Sequence, residues 1–485
     1  MSNTVCIGSG AGFAGDRFDA AVPVVRTLSQ HQGPRYLIYE VMGERTLAIA
    51  QRLKLDDPEQ GYSPWLHNYL PQVLADCVAN RITIVANFGN ANPVAAAGQV
   101  HALARELGIS TAEENSSDAT LKVAVVLGDD LLETMSHDDL LRIPCIEGTS
   151  TADRQLIGAN AYLGAQPVAQ ALALQPDIVL VGRSTDAALV LGPLIHEYGW
   201  RSDQYDLLAA GTLAGHLLEC GAQVTGGYFA DPGFKDVPDL DQVGFPLADI
   251  APDGTFVLSK AAGTGGLVSR ATVIEQMLYE VHDPAAYLTP DVTLDLTQVT
   301  LTEAGPDRVL VSGARGRQPP DSLKVTLSVE GGWLAEAEIS YAGPNALARA
   351  ELAADVVRKR LSTVGTNEPC RIEILGTGAV HASDSGQQQF ESCSAAGEYR
   401  VRAAARCEHK TTAQRIVDEV LALYCCGPAA GGGVRQSISG QVSTASILLP
   451  RDVVENHVRS VLIPEPSGVQ PTPESRSAQS NANEV

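Results

Sequence analysis

The chain has 485 residues, 45% hydrophobic and 19% charged, so it can bury the cores of two or three domains. Its 34 basic and 57 acidic residues give a net charge of −23, which argues against nucleic acid and anionic membranes as main partners. The sequence has no signal-peptide pattern, no apolar run of about 18–20 residues and no C-x-x-C pair among its nine cysteines. We expect a cytoplasmic protein with reduced thiols and with neither a membrane nor a nucleic-acid partner.

The first half of the chain alternates short β-branched runs with helical patterns. This alternation predicts βαβ units and therefore an α/β fold with a parallel sheet. The predicted strands lie at residues 4–8, 36–40, 81–87, 122–128 and 177–183, and the predicted helices at 16–30, 43–54, 91–108 and 167–175.

The pattern changes near residue 290. Three segments, 299–314, 322–332 and 333–343, are typical of antiparallel strands, and a helical pattern follows at 344–362. We predict a parallel α/β domain over residues 1–285, a smaller α+β domain of split-βαβ type over 286–460, and a disordered Pro/Ser/Asn-rich tail over 461–485.

Ligands of an open parallel sheet bind at the carboxyl ends of its strands, so the loops there are the candidate sites. The first loop carries G-x-G-x-x-G at Gly10, Gly12 and Gly15, followed by Asp16 and Arg17. The pattern fits either a dinucleotide-binding loop or a tight turn that Asp16 caps. An acidic Asp16 beside a phosphate would oppose the charge of a nucleotide.

A second loop, residues 86–93, contains Asn87, Asn90 and Asn92 ahead of a predicted helix that starts near Pro93. These amides either cap the turn or hold a carboxylate or carbonyl group of a ligand. A third loop, residues 144–155, contains Glu147, which ends a strand-like piece and precedes a Thr/Ser-rich turn that is suited to an anion.

Arg183 ends the strand predicted at 177–183, and Asp186 follows in the next loop. The two residues either bind a carboxylate or phosphate group through Arg183 or form a structural ion pair. His216 and Cys220 share one face of a predicted helix and could be a metal pair or a nucleophile with its base. A buried core role is the stronger interpretation of both, and we assign no metal ligand. Lys260 precedes a glycine-rich turn that could hold a phosphate or an enolate.

Six of these segments together resemble the acyclic terpene utilisation (AtuA-like) family, and the resemblance runs from about residue 4 to about residue 455. The segments are residues 7–17, 40–46, 86–93, 182–189, 219–229 and 427–435. The resemblance implies a catabolic role in citronellol- and geraniol-type terpene degradation, with a lyase or hydratase step on a branched 3-hydroxyacyl-CoA. It also implies a small partner protein, here a separate subunit, and it transfers no catalytic residues.

We therefore predict a lyase or hydro-lyase that acts on a hydroxy acid or its acyl-CoA thioester. Asp16 and Glu40 are the predicted acid/base pair, and Lys260 the predicted enolate stabiliser. The predicted substrate-binding residues are Gly10, Gly12, Arg17, Asn87, Asn92, Glu147, Arg183 and Asp186. No cofactor is assigned apart from coenzyme A as a candidate part of the substrate, and we expect a homo-oligomer. The alternatives are a scaffold subunit whose small partner does the chemistry, and a nucleotide-dependent oxidoreductase.

Overall fold

The computed structural model describes residues 4–109, 121–148, 150–151, 153–366, 368–376 and 397–465. Its strands are β1 (Val5–Ala11), β2 (Arg35–Tyr39), β3 (Thr83–Ala86), β4 (Val123–Leu127), β5 (Leu156–Ala161), β6 (Ile178–Leu180), β7 (Pro246–Ile250), β8 (Phe256–Lys260), β9 (Tyr287–Leu288), β10 (Thr293–Asp295), β11 (Thr300–Gly305), β12 (Arg308–Ser312), β13 (Arg315–Arg317), β14 (Ser322–Ala342), β15 (Cys370–Leu375), β16 (Glu398–Cys407), β17 (Gly432–Pro450) and β18 (Arg459–Ile463).

The α-helices are α1 (Ala21–Leu28), α2 (Glu44–Asp56), α3 (Leu66–Tyr69), α4 (Leu74–Ala79), α5 (Pro93–Glu106), α6 (His137–Leu141), α7 (Gln166–Leu172), α8 (Ala188–Tyr198), α9 (Tyr205–Glu219), α10 (Arg270–Leu278), α11 (Ala346–Thr363), α12 (Lys410–Leu421), α13 (Leu423–Cys426) and α14 (Arg451–Glu455). Among the described residues, no helix is both long and apolar enough to cross a membrane.

The prediction of an α/β fold is confirmed. A sheet of ten strands has the order β11-β12-β8-β7-β1-β2-β3-β6-β4-β18, and its five neighbours β1, β2, β3, β6 and β4 run parallel. These strands are almost wholly apolar and buried, as expected when helices pack on a parallel sheet. Their carboxyl ends therefore share one edge of the sheet, where the candidate loops lie.

Both flanks of the parallel strands are antiparallel, which the sequence did not predict. β11 and β12, expected in the second domain, pair through β8 and β7 with β1. At the other edge β18 pairs with β4, so the predicted disordered tail is wrong for residues 461–463, because the consecutive β-prone apolar residues at 461–463 complete an edge strand. The rest of that predicted tail, residues 466–485, lies outside the described residues.

Two compact units divide the chain: one within residues 1–328 and 444–485, the other within 329–443. The first unit thus extends beyond the boundary predicted at 285, because β11 and β12 belong to its sheet. In the second unit, strands in the order β15-β16-β14-β17 pack with α11 and α12 around an Ala-, Ile- and Val-rich core. The two strands predicted at 322–332 and 333–343 are one strand, β14, which continues through Gly332 at φ +76°.

Candidate functional site

Side chains from the loops after β2 and β3 meet at the shared edge of the parallel sheet. Glu40 is buried, and its Oε1 accepts hydrogen bonds from the Met42 amide at 2.9 Å and from Asn87 Nδ2 at 2.7 Å. Asn87 in turn accepts a bond from the Val41 amide at 2.8 Å through its Oδ1. Burial and the neighbouring Asp186 carboxylate raise the pKa of Glu40 well above its ordinary value, against the opposing effect of Arg183.

Arg183, from the loop after β6, lies at the centre of this cluster. Its side chain is 4% exposed; Nη1 donates to the Met42 carbonyl at 2.7 Å and lies 3.4 Å from Asp186 Oδ1. The guanidinium also sits 4.0 Å from the centroid of the Tyr162 ring, within cation–π distance. Its Nε is buried and has no hydrogen-bond partner among the described residues. The cation is thus fixed in place with one donor still free.

Asp186 marks the open side of the cluster. Its Oδ1 is buried without a hydrogen bond among the described residues, and the side chain as a whole is 35% exposed. Burial raises the pKa of Asp186 to about 7 although the Arg183 charge opposes the rise, and the carboxylates of Glu219 and Glu44 add to it. A carboxyl with this pKa exchanges protons near neutral pH.

Glu44, at the start of α2, shows the opposite behaviour. Its Oε1 accepts hydrogen bonds from the Tyr162 hydroxyl and from Lys324 Nζ, the latter at 3.2 Å. Burial by itself would raise the pKa of Glu44, but the Tyr162 hydrogen bond and the Arg183 charge lower it to about 2. The site therefore combines one permanently ionised carboxylate with two carboxyls that retain a proton to higher pH, as acid/base sites commonly do.

The end of α9 contributes a third group of polar side chains. His216 Nδ1 lies 2.9 Å from Glu219 Oε1, while its buried Nε2 has no partner in the described chain. Burial lowers the pKa of His216, but the Glu219 carboxylate outweighs it and leaves the pKa raised. Burial and the Glu219 charge raise the pKa of Cys220, which keeps the thiol protonated. His216 thus pairs with Glu219, and Cys220 lacks the lowered pKa of a nucleophile.

A network of hydrogen bonds that the sequence analysis missed holds the backbone of Arg183. Asp129 Oδ2 accepts bonds from the Arg183 amide at 2.8 Å and from Asn160 Nδ2 at 2.9 Å, and Asn160 Oδ1 accepts one from Gln51 Nε2 at 2.8 Å. Burial raises the pKa of Asp129 to about 6. Asp129 follows β4, so its position after a strand was a signal that the sequence did offer.

In the opening loop, the Asp16 side chain forms hydrogen bonds with the backbone of the loop itself. Asp16 accepts bonds from the Gly12 and Arg17 amides, each at 3.0 Å, which places its carboxylate where a phosphate would lie in a dinucleotide loop. A Cβ on Gly12 would lie 2.3 Å from the carbonyl carbon of Cys220, so this glycine admits the protein's own backbone. Moreover, α1 begins only at Ala21, and the loop therefore lacks the strand–loop–helix spacing of a nucleotide fingerprint.

Arg17 and Gly10 serve the packing of this loop. The Arg17 guanidinium donates to the carbonyls of Asp241 at 2.7 Å and Leu240 at 3.1 Å, and a Cβ on Gly10 would lie 2.6 Å from the Tyr39 ring. The strongest electrostatic effects on Glu40 come from Asp186 and Arg183, whereas Asp16 interacts with Arg17. The structure therefore brings Glu40 together with Asp186 rather than with Asp16.

Three further residues that were predicted to belong to the site make structural contacts elsewhere. Lys260 Nζ donates to the Thr264 carbonyl at 2.7 Å and lies 3.4 Å from an Asp307 carboxylate oxygen. Asn92 caps α5, because its Oδ1 accepts a bond from the Ala95 amide at 3.2 Å while Nδ2 donates to two loop carbonyls. Glu147 lies in a turn rather than at the end of a strand, is exposed, and accepts a bond from the Ser446 amide at 3.0 Å.

Comparison with known proteins supports the resemblance of the sequence motifs. The model of the acyclic terpene utilisation family protein AtuA matches residues 5–460, a range that includes every residue of the cluster. The chain belongs to this family. The family is implicated in acyclic terpene utilisation. No curated protein and no solved structure matches the chain.

Proposed function

We propose that this AtuA family member is a catabolic lyase or hydro-lyase that acts on a branched hydroxy acid or its acyl-CoA thioester. The observation that carries the proposal is the placement of Glu40 and Asp186, two carboxyls with raised pKa, close enough to the buried Arg183 cation that its charge acts on both. Elimination of water from a hydroxyacyl group needs a base, an acid and a cation in one place.

Each of the three groups has a role in that reaction. Asp186, with a pKa of about 7 and a side chain that is 35% exposed, removes the proton α to the carbonyl. Arg183 stabilises the negative charge that develops on the carbonyl or carboxylate oxygen. The bond from the β-carbon to its hydroxyl then breaks, and Glu40 donates its proton to the departing oxygen, which leaves as water.

The hydrogen bonds of Glu40 suit the role of the acid. Its Oε1 accepts two N–H groups, from Met42 and Asn87, so the proton lies on Oε2. The raised pKa favours retention of that proton. After the reaction, Asp186 carries the α-proton and Glu40 is ionised, and proton exchange with solvent through Asp186 restores the starting state.

The Glu40→Gln variant tests the proposal, with branched 3-hydroxyacyl-CoA thioesters as substrates and formation of the conjugated enoyl thioester followed by ultraviolet absorbance. Gln keeps the oxygen that accepts the two N–H groups but has no acidic proton, so we expect turnover to fall by about 10²–10⁴-fold. Glu147→Gln makes the same change at an exposed position and is expected to keep the wild-type rate. Wild-type turnover by Glu40→Gln would contradict the proposed role.

The expected homo-oligomer and the separate small subunit stay predictions. Light scattering on the purified chain measures the first, and co-purification from cells that express both proteins measures the second. A chain that gains turnover only in the presence of the small subunit would favour the scaffold alternative over catalysis by Glu40 and Asp186.

A further inference from the structure

Three side chains of metal-binding type meet at the other end of β1. Cys6 on β1 lies opposite Asp249 in the antiparallel pair of β1 and β7, and His31 follows α1. The Cys6 thiol, one His31 ring nitrogen and one Asp249 carboxylate oxygen all lie within 4.8 Å of one another. Gly12 follows Cys6 by six positions, which is about 20 Å of extended chain. Cys6 pairs with Arg35 at the start of β2, whereas Ala11 pairs with Tyr39 beside Glu40. The cluster therefore lies at the opposite end of β1 from the candidate active site.

The imidazole of His31 is oriented as a metal ligand. Its Nε2 lies 3.0 Å from the Thr4 carbonyl, and since a carbonyl can only accept, Nε2 carries the hydrogen. Nδ1 faces Asp249 Oδ1 at 3.5 Å and is the ring nitrogen available to an ion. A hydrogen bond from the second ring nitrogen to a carbonyl is the usual support of a metal-bound histidine. Gly33 permits this placement, because a Cβ there would lie 2.3 Å from the Thr4 oxygen and 2.8 Å from the ring.

We propose that Cys6, His31 and Asp249 bind one divalent transition-metal ion of the zinc class, with a fourth position open to water. Thiolate, imidazole and carboxylate are the three zinc ligands of proteins, and tetrahedral zinc separates a nitrogen and an oxygen ligand by about 3.4 Å. The 3.5 Å between His31 Nδ1 and Asp249 Oδ1 meets that requirement without movement of either side chain.

The surroundings of the cluster allow an ion to enter and to be held. The Asp249 side chain is 31% exposed and the His31 side chain 13%, whereas Cys6 is buried. Arg308 lies 3.9 Å from Asp249 Oδ2, which leaves Oδ1 directed to the ion. Burial and the Asp249 carboxylate raise the pKa of the Cys6 thiol, so an ion that binds here displaces a proton. The ion would join the start of β1, the end of α1 and β7.

Titration of the reduced full-length chain with Co²⁺ and Zn²⁺ tests this site. We expect one equivalent of Co²⁺ to give a thiolate-to-cobalt charge-transfer band that Zn²⁺ removes. Cys6→Ser is expected to abolish the band, and Asp249→Asn and His31→Gln to weaken binding by at least about tenfold, since even outer-shell substitutions cost that much. Cys77→Ser changes another buried thiol, outside the cluster, and is expected to keep the band.

Melting curves with and without Zn²⁺ provide the second measurement. Zn²⁺ is expected to raise the Tm of the wild type and of Cys77→Ser, and to raise the Tm of Asp249→Asn clearly less at the same concentration. Because the Asp249 side chain is partly exposed, we expect Asp249→Asn to fold. It therefore provides a test of the site even if Cys6→Ser fails to fold. Absence of a charge-transfer band in the wild type, or the same band in Cys6→Ser, would overturn the proposal.

Discussion

The titration of Asp186 should be visible as a pH dependence of stability. A carboxyl whose pKa is higher in the folded than in the unfolded chain favours folding at low pH, and that contribution is lost as the pH rises through the folded pKa. For Asp186 the ordinary value is 3.8 and the folded value about 7. The stability contribution is therefore complete below about pH 4, is lost progressively as the pH rises from about 4 to 7, and is absent above that range.

The size of the effect follows from the same values. One pKa unit corresponds to 1.36 kcal/mol, so the full difference corresponds to roughly 4 kcal/mol. Because the Asp186 side chain is 35% exposed, solvent screening reduces this to about 2 kcal/mol. Asp186→Asn removes the titration of this carboxyl. It also removes a charge that raises the pKa of Glu40, and this second change likewise reduces the loss of stability with rising pH.

Urea unfolding followed by tryptophan fluorescence at pH 5 and pH 8 measures the difference. Part of the contribution is already lost at pH 5, so between these pH values we expect the wild type to lose about 1 kcal/mol more of its unfolding free energy than Asp186→Asn loses. Asp203→Asn, at a largely exposed aspartate, serves as the control and should follow the wild type. Parallel pH profiles of the wild type and Asp186→Asn would refute the assignment of a near-neutral pKa to Asp186, and with it the proposed base.

Two further predictions concern glycine and asparagine positions of the first unit. Gly12→Ala places a methyl group 2.3 Å from the Cys220 backbone, so we expect urea unfolding to show a loss of about 1–3 kcal/mol of unfolding free energy. Gly98 lies within α5 with open space around it, so Gly98→Ala should instead raise that free energy by about 0.5–1 kcal/mol. Asn92→Ala removes the cap of α5 and is expected to cost about 1–2 kcal/mol while turnover stays at the wild-type level. A turnover loss for Asn92→Ala comparable to that for Glu40→Gln would return this residue to the substrate site.

The alternation of strands and helices predicted the parallel half of the large sheet and the edge at which its loops meet. Glu40, Asn87, Arg183 and Asp186 lie close together at that edge, because the carboxyl ends of parallel strands are adjacent whatever the loops contain. The rule could not distinguish side chains that face the cluster from those that cap their own loop. Asp16 and Asn92 have the same positional signal, and their carboxylate and amide bond to the local backbone instead.

Other features depend on pairings between distant parts of the chain. The apolar residues of β12 or β18 indicate a strand but not its neighbour, and both strands join a sheet whose parallel strands all lie within the first 180 residues. Lys324 reaches Glu44 across 280 positions of the sequence, and Asp249 reaches Cys6 and His31 in the same way. No local spacing encodes such contacts, so neither the partner of Glu44 nor the cysteine–histidine–aspartate cluster could be read from a motif.

The pairing of β18 with β4 has a consequence for synthesis of the chain. Ribosomes add roughly 5–20 residues per second, and β4 ends at Leu127 whereas β18 begins at Arg459. The outer edge of β4, whose sequence is VAVVL, therefore waits roughly 15–65 s for its partner strand after it has been made. An apolar β-branched edge that stays open for this time is a template for intermolecular pairing. Nascent chains stalled before residue 459 should thus recruit chaperones that shield exposed strands, and release them once β18 emerges.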